Sequence, residues 1–317
     1  MSEPNCSLLS CGSDADRILE RDDYASARAR WCAGCGDHSV LTAAQRLLAA
    51  EQLRPERTVF VSGIGCSSRF PHYMKTYGFH GLHGRALPVA TGIKLHRPDL
   101  DVFVVMGDGD CCSIGAGHWI HAVRYNLKMV VLMLDNNIYA LTKMQTSPTT
   151  PIGQTSKTQP YGGYLPALNP LTVTLGVTNA SFVAQTAEWS PPHLYATLQA
   201  AYRHQGFAFV RILQRCPVYM PESFRGAIDD RAQVELLDHE GGVHVPELFQ
   251  AYPRHRTHDP CDLHAARKLA EDGDTVRLGV FFKDPSRPRY EETRWRPARS
   301  AQEKMALLET ELDAYAV

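Results

Sequence analysis

The chain has 317 residues, 44% hydrophobic and 21% charged, with a formal net charge of −1. That length allows one large α/β domain or two smaller ones, and the balanced charge excludes a global basic field drawing the protein to nucleic acid or acidic lipid. No apolar run reaches membrane-spanning length, and the N-terminus, Met1-Ser-Glu-Pro-Asn-Cys-Ser-Leu-Leu-Ser10, lacks the basic start and long apolar stretch of a secretory signal.

The expected location is therefore cytoplasmic. There, nine cysteines read as metal ligands and small core residues rather than a disulfide framework. Residues 1–28 are polar and weakly patterned, an N-terminal arm. From 29 to 217 the pattern is that of one α/β domain. Val40, Leu41, Ala44, Leu47 and Leu48 share one face of a predicted helix over 39–50. Thr58–Ser62, Asp101–Met106, Met129–Leu134 and Phe207–Leu213 read as buried strands, with helices over 114–125 and 193–204 and a Thr-, Ser-, Pro- and Gly-rich loop over 142–163. Strand–helix–strand order implies right-handed crossovers and a mostly parallel sheet flanked by helices. After 217, Arg, Asp, Glu, His and Pro dominate, broken by short apolar patches such as Leu278–Phe282. This predicts an irregular C-terminal extension, 218–317, packed on the main domain. No internal repeat is visible.

Two signatures carry chemistry. Gly107-Asp-Gly-Asp110 follows one predicted strand, and Asp135-Asn-Asn-Ile-Tyr139 follows the next. In a doubly wound sheet, ligands bind beyond the carboxyl ends of the strands, so Asp108 and Asn136 reach the same edge. A carboxylate, an amide oxygen and a main-chain carbonyl make a hard-oxygen site suited to magnesium, and Gly107 and Gly109 let the backbone approach a phosphate. Alone, Gly-Asp-Gly is a common turn. Paired with Asn-Asn one crossover later, it resembles the thiamine-diphosphate motif, in which Asp108, Asn136 and the Ile138 carbonyl match the metal ligands.

The second signature is a set of thiols: Cys32 and Cys35 as Cys-x-x-Cys, with Cys66 and Cys216 each at a strand end. Cys-x-x-Cys is compatible with a redox pair, half of a zinc site or iron–sulfur ligation. One pair plus two singles suits a [4Fe–4S] cluster, which accepts ligands from distant loops; structural zinc remains open. Cys111 and Cys112 read as small buried hydrophobes, and Cys6, Cys11 and Cys261 carry no ligand spacing.

Trp31-Cys-Ala-Gly-Cys-Gly-Asp37, Gly63-Ile-Gly-Cys-Ser-Ser-Arg69, His83-Gly-Arg85, Gly107-Asp-Gly-Asp110, Asn136-Asn-Ile-Tyr-Ala-Leu-Thr-Lys143 and Leu213-Gln-Arg-Cys-Pro217 together resemble the β subunit of 2-oxoacid:ferredoxin oxidoreductases, most closely those acting on 2-oxoglutarate. The resemblance runs from about residue 28 to the end. It departs at Ala33, where the family usually has Pro, and at Cys111 and Cys112. It implies a thiamine-diphosphate-binding fold holding thiamine diphosphate, Mg²⁺ and one [4Fe–4S] cluster. Cys32, Cys35, Cys66 and Cys216 would hold the cluster; Asp108, Asn136 and Ile138 would hold Mg²⁺. Gly65, Cys66, Ser67, Ser68, His83, Gly107, Asp108, Gly109, Asp110, Asn136, Ile138 and Tyr139 would form the cofactor site.

The implied activity is oxidative decarboxylation of 2-oxoglutarate with coenzyme A to succinyl-CoA, or the reverse, with electrons passed to ferredoxin. No Glu falls in a motif that could activate the aminopyrimidine ring, so the resemblance implies an α subunit that completes the site, as αβ pairs assembled into a heterotetramer. Arg69 and Lys143 are candidate clamps for a dicarboxylate, and Leu141 a candidate pocket wall. His83 is a candidate phosphate contact; His38, His72, His80, His118 and His121 read as packing or surface. Alternatives are pyruvate or another 2-oxoacid as substrate, a non-catalytic iron–sulfur electron-transfer subunit, and a zinc-stabilised binding module.

Overall fold

The structure is a computed structural model that describes residues 17–239, 241–273, 275–293 and 300–315. Cys6 and Cys11 lie outside the described residues. In chain order, the elements that build the main layer are α1 (Asp37–Ala50), β1 (Thr58–Ser62), β2 (Tyr77–His80), α2 (Ala86–His96), β3 (Asp101–Gly107), α3 (Asp108–Cys112), α4 (Ala116–Tyr125), β4 (Met129–Asp135), α5 (Pro170–Gly176), β5 (Phe182–Ala187), α6 (Pro191–Arg203) and β6 (Phe207–Leu213). They are followed by α7 (Arg225–Asp229), β7 (Val234–Asp238), α8 (Pro246–Ala251), β8 (Arg254–Thr257), α9 (Leu263–Glu271), β9 (Val276–Lys283), α10 (Tyr290–Thr293) and α11 (Ala301–Asp313).

One nine-stranded sheet runs in the order β2-β1-β3-β4-β6-β5-β9-β7-β8. β1 to β6 pair parallel throughout; β9 lies antiparallel to β5, and β7 and β8 run parallel to β9. The central strands are buried on both faces, which is why they read as continuous apolar runs. Side chains still alternate. Phe103 and Val105 of β3 enter the core under α1 and α6, while Val102, Val104 and Met106 enter the core under α2, α4, α5 and α9.

The segment after 217 is packed on this layer, but it is less irregular than its composition predicts. It supplies three strands that extend the sheet beyond β5. Periodicity hides them because β8 is charged and exposed along its length, and because Gly279 interrupts β9 at φ +141°, where a Cβ would stand 2.7 Å from Leu237 Cβ. At the other terminus, Tyr24 is completely buried, with its hydroxyl 3.0 and 2.8 Å from the Leu48 and Leu53 carbonyls. That pin ties residues 17–28 to α1.

Candidate active site

A cleft of about 480 Å³ opens at the carboxyl ends of β1, β3, β4 and β6, in the size range of small-molecule sites. The glycine-rich turn after β1, Asp108 after β3 and Asn136 after β4 meet there as the topology demands. Gly65, Cys66, Ser67, His83, Gly107, Asp108, Gly109, Asp110, Asn136, Ile138, Tyr139 and Leu141 all line it. Ser68, Arg69 and Lys143 are not among the lining residues. Ser68 is buried, its carbonyl accepting from the Ser62 hydroxyl at 2.6 Å and lying 2.7 Å from His80 Nδ1. Arg69 sets its guanidinium over the Tyr73 ring and donates to the Arg30 carbonyl at 3.3 Å. Lys143 is exposed at the rim, at φ +69°, one residue past the lining residue Thr142.

The two asparagines divide the work. Asn137 takes a left-handed φ of +62° and turns inward. Its Nδ2 donates to Asp135 Oδ1 (3.1 Å) and the Thr149 carbonyl (3.0 Å), and its Oδ1 accepts from the Ser223 hydroxyl. Asn136 stays in the cleft wall, where its Oδ1 accepts from the Ile138 amide at 3.2 Å. Tyr139 covers the other side. Its hydroxyl donates to the Gly109 carbonyl at 3.0 Å, and a Cβ on Gly109 would stand 2.2 Å from the ring. Packing of the tyrosine therefore demands glycine there, in addition to any ligand.

Asp108 is buried and accepts from the hydroxyls of Ser147 and Thr149. The Thr149 hydroxyl has one proton between Asp108 Oδ2 at 2.7 Å and Asp135 Oδ1 at 2.9 Å. Arg211 neutralises Asp135 from behind at 2.6 Å. Burial, then the nearby Asp135 charge, pushes the Asp108 carboxyl well above the usual carboxylate range. A divalent cation would relieve both causes, so the donor set of Asp108, Asn136 and the Ile138 carbonyl fits magnesium. Sequence reading missed Ser147, Thr149 and Arg211. Only Arg211 left a trace, as the single charge in the apolar run Phe207–Leu213.

The cysteines meet around the Cys66 turn at the cleft. Cys32, Cys35, Cys66 and Cys216 are all free thiols. Trp31 Nε1 donates to the Cys66 carbonyl at 2.7 Å, Gly36 N to the Arg215 carbonyl at 3.3 Å, and Gln214 Nε2 lies 3.4 Å from Cys35 Sγ. Burial, then the Asp37 carboxylate, drives the Cys35 thiol up, and Cys66 and Cys216 are near enough to add to it. Burial and Asp37 likewise push Cys66 up to about 12, with Cys216 and Cys32 contributing. Thiolates so crowded need cations to persist. Among the described residues, no three of His, Cys, Asp or Glu are grouped as ligands of a metal ion. A four-iron cluster gives each thiolate its own iron, so its ligands surround a cage rather than a point. The set fits such a cluster by donor chemistry.

Cys66 joins the two halves: it lines the cleft and packs with Ile138, Ala140, Cys216 and Met220. Cys111 and Cys112 are buried in the core under α2 and α4, as small apolar residues would be.

Residues 63–212 match the family described as thiamine pyrophosphate enzyme, C-terminal TPP binding domain. Residues 250–296 match the family described as the C-terminal part of the pyruvate ferredoxin oxidoreductase beta subunit. The chain is 47% identical over 217 residues to the 2-oxoglutarate oxidoreductase subunit KorB of Mycobacterium tuberculosis, a match spanning 68% of this chain and 58% of that protein. It is 38% identical over 266 residues to the 2-oxoacid:ferredoxin oxidoreductase subunit beta of a Sulfolobus species, covering 83% and 84% of the two chains. A solved 2-oxoglutarate:ferredoxin oxidoreductase from Magnetococcus marinus, with 2-oxoglutarate, coenzyme A and succinyl-CoA bound, superposes with TM-score 0.76 at 34% identity. That match covers 91% of this chain and 96% of the other.

Fold and cleft thus define a subunit of a thiamine-diphosphate-dependent enzyme. More narrowly, the chain belongs to the family of 2-oxoacid:ferredoxin oxidoreductase beta subunits. Among the described residues, no helix is long and apolar enough to cross a membrane.

Proposed function

We propose that this chain is the β half of an enzyme that oxidatively decarboxylates 2-oxoglutarate with coenzyme A, giving succinyl-CoA and CO₂, or runs the reverse reaction. The observation that carries this reading is the double role of Cys66, which lines the cleft and neighbours Cys35 and Cys216. Carbon chemistry and electron exit would then share one turn. Asp108, Asn136 and the Ile138 carbonyl would hold Mg²⁺ and through it the diphosphate. Cys32, Cys35, Cys66 and Cys216 would hold a [4Fe–4S] cluster, with ferredoxin as the external electron carrier. Thiamine diphosphate supplies the electron sink that makes loss of CO₂ feasible.

The protein's own share is positioning. The apolar wall of Ile138, Ala140 and Leu141 keeps water from the reacting carbon. Lys143 at the rim would meet the distal carboxylate of a dicarboxylate, and Arg69 would do so only by leaving Tyr73. Among the described residues, the lining contains no Glu; of the acids there, Asp108 would hold Mg²⁺ and Asp110 accepts from the Gly84 and Ile64 amides. An α partner that completes the site, in αβ pairs that assemble further, accounts for this. Free, crowded thiols suit a reducing cytoplasm.

Anaerobic co-purification with the α subunit should give brown protein carrying iron and acid-labile sulfide. It should show coenzyme A-dependent reduction of a low-potential acceptor, fastest with 2-oxoglutarate in a panel of 2-oxoacids. Preference for pyruvate would change the substrate assignment; colourless, zinc-bearing protein would remove the electron-transfer role. Lys143→Ala should raise KM for 2-oxoglutarate several-fold more than for pyruvate; equal effects would remove its part in specificity.

A further inference from the structure

Asp110 lines the cleft beside Asp108, yet its Oδ1 is engaged inside the protein, while Oδ2 is buried without a hydrogen-bond partner. The side chain is 1% exposed. Oδ1 accepts from the Gly84 amide at 2.7 Å and the Ile64 amide at 3.2 Å, and His83 Nδ1 lies 2.7 Å from the same oxygen. The surroundings are shaped to it. A Cβ on Gly63 would stand 2.2 Å from Asp110 Oδ2, and one on Gly115 would stand 2.4 Å from the Asp110 carbonyl. Gly84, at φ +71°, would drive a Cβ to 2.5 Å from Ile114. Two turns from distant parts of the chain, at 63–64 and 83–84, therefore close on one carboxylate. A carboxylate facing a diphosphate without a metal between them would repel it; one whose oxygen accepts from two backbone amides and faces an imidazole has part of that charge offset.

We infer that Asp110 is a positioning residue: by engaging His83 Nδ1 and the turns at Ile64 and Gly84, it fixes the imidazole so that Nε2 is the nitrogen presented to a diphosphate in the cleft. The inference rests on reading the cleft as a thiamine diphosphate site. Which ring nitrogen faces a ligand is set by what the other nitrogen meets, and outer partners of this kind typically matter about 10- to 100-fold in affinity. The His83 ring centroid lies 5.9 Å from that of Tyr139, so the imidazole is braced on its second side as well.

The test is a double-mutant cycle in the α-containing enzyme, read by calorimetric binding of thiamine diphosphate with Mg²⁺. Asp110→Asn keeps the shape and, on the one oxygen that all three groups meet, an acceptor for the Ile64 and Gly84 amides and for His83 Nδ1, so it should bind as the wild type does. Asp110→Ala removes that oxygen and should weaken binding about 10-fold. His83→Gln should weaken binding similarly, and Asp110→Ala combined with His83→Gln no more than His83→Gln alone. Wild-type affinity in Asp110→Ala, a loss in Asp110→Asn as large as in Asp110→Ala, or additive losses in the double variant would overturn the inference. Absence of binding by the wild-type enzyme would instead overturn the reading of the cleft.

Discussion

Two buried carboxylate centres in this molecule are solved in opposite ways. At the cleft, Asp108 and Asp135 face one another with Arg211 as the near cation, and burial pushes Asp108 up. In the C-terminal strands, Glu235 is also buried, which alone would raise it, but hydrogen bonds from Arg256 (2.9 Å) and Arg277 (2.7 Å) outweigh that and hold it down. The first centre is short of positive charge; the second is balanced. A buried acid left uncompensated is a place for a missing cation, whereas a balanced one supports the fold. Mutation should separate them. Asp108→Ala should weaken Mg²⁺-thiamine diphosphate binding at least about 100-fold, while leaving urea stability unchanged or raised, because an unbalanced buried charge disappears. Glu235→Ala should do the reverse. It takes from Arg277, which is 3% exposed, one of its two acidic partners and leaves Asp272 as the other. It should cost about 2 kcal/mol in urea unfolding, with cofactor affinity intact. Equal loss of binding in both variants would erase the distinction.

The same contrast explains what the sequence made legible. Strands β1, β3, β4 and β6 are buried on both faces, so local composition alone marks them, and the residues just beyond their carboxyl ends fall at the cleft by topology. Asp108, Asn136 and Cys66 were readable as cleft residues for that reason. Ser147 and Thr149, which hold Asp108, sit in a loop whose path back over the cleft leaves no periodic trace. Asp110 was readable as a cleft residue, but not as one whose carboxylate is bound by amides of two other turns. The pairing of β9 against β5 was hidden for a similar reason. It joins strands far apart in sequence and carries a register shift between Val183 and Ala184, which period-two alternation cannot encode.

Buried histidines extend the comparison to groups that folding keeps neutral. His193 is 3% exposed, with Thr186 Oγ1 2.8 Å from its Nδ1. Burial lowers it from 6.5 to about 4, and His204 follows to about 4, again chiefly by burial. Below pH 6.5 the unfolded chain takes up protons that the folded chain refuses. The stabilisation is therefore complete above 6.5 and is lost as pH falls toward 4. Each histidine should remove about 1 kcal/mol by pH 5.5. Thermal melts at pH 7.5 and 5.5 check this: His193→Gln should narrow the gap between the two midpoints, and an unaltered gap would rule its contribution out.

The smallest effect is expected where charge is paired without burial. Arg225 and Asp229 meet at 2.7 Å as an i,i+4 pair, each side chain 60% exposed. By distance this pair matches that of Arg277 and Glu235, so geometry alone would rank the two together. Water already solvates both partners in the unfolded chain, and holding two long side chains in one arrangement costs conformational entropy. Asp229→Asn should therefore leave the urea midpoint almost unmoved, and move it still less at high salt, where the exposed pair is screened. A loss near that of Glu235→Ala would mean that separation, not burial, sets the strength of ion pairs in this fold, and the contrast between the two carboxylate centres would lose its physical basis.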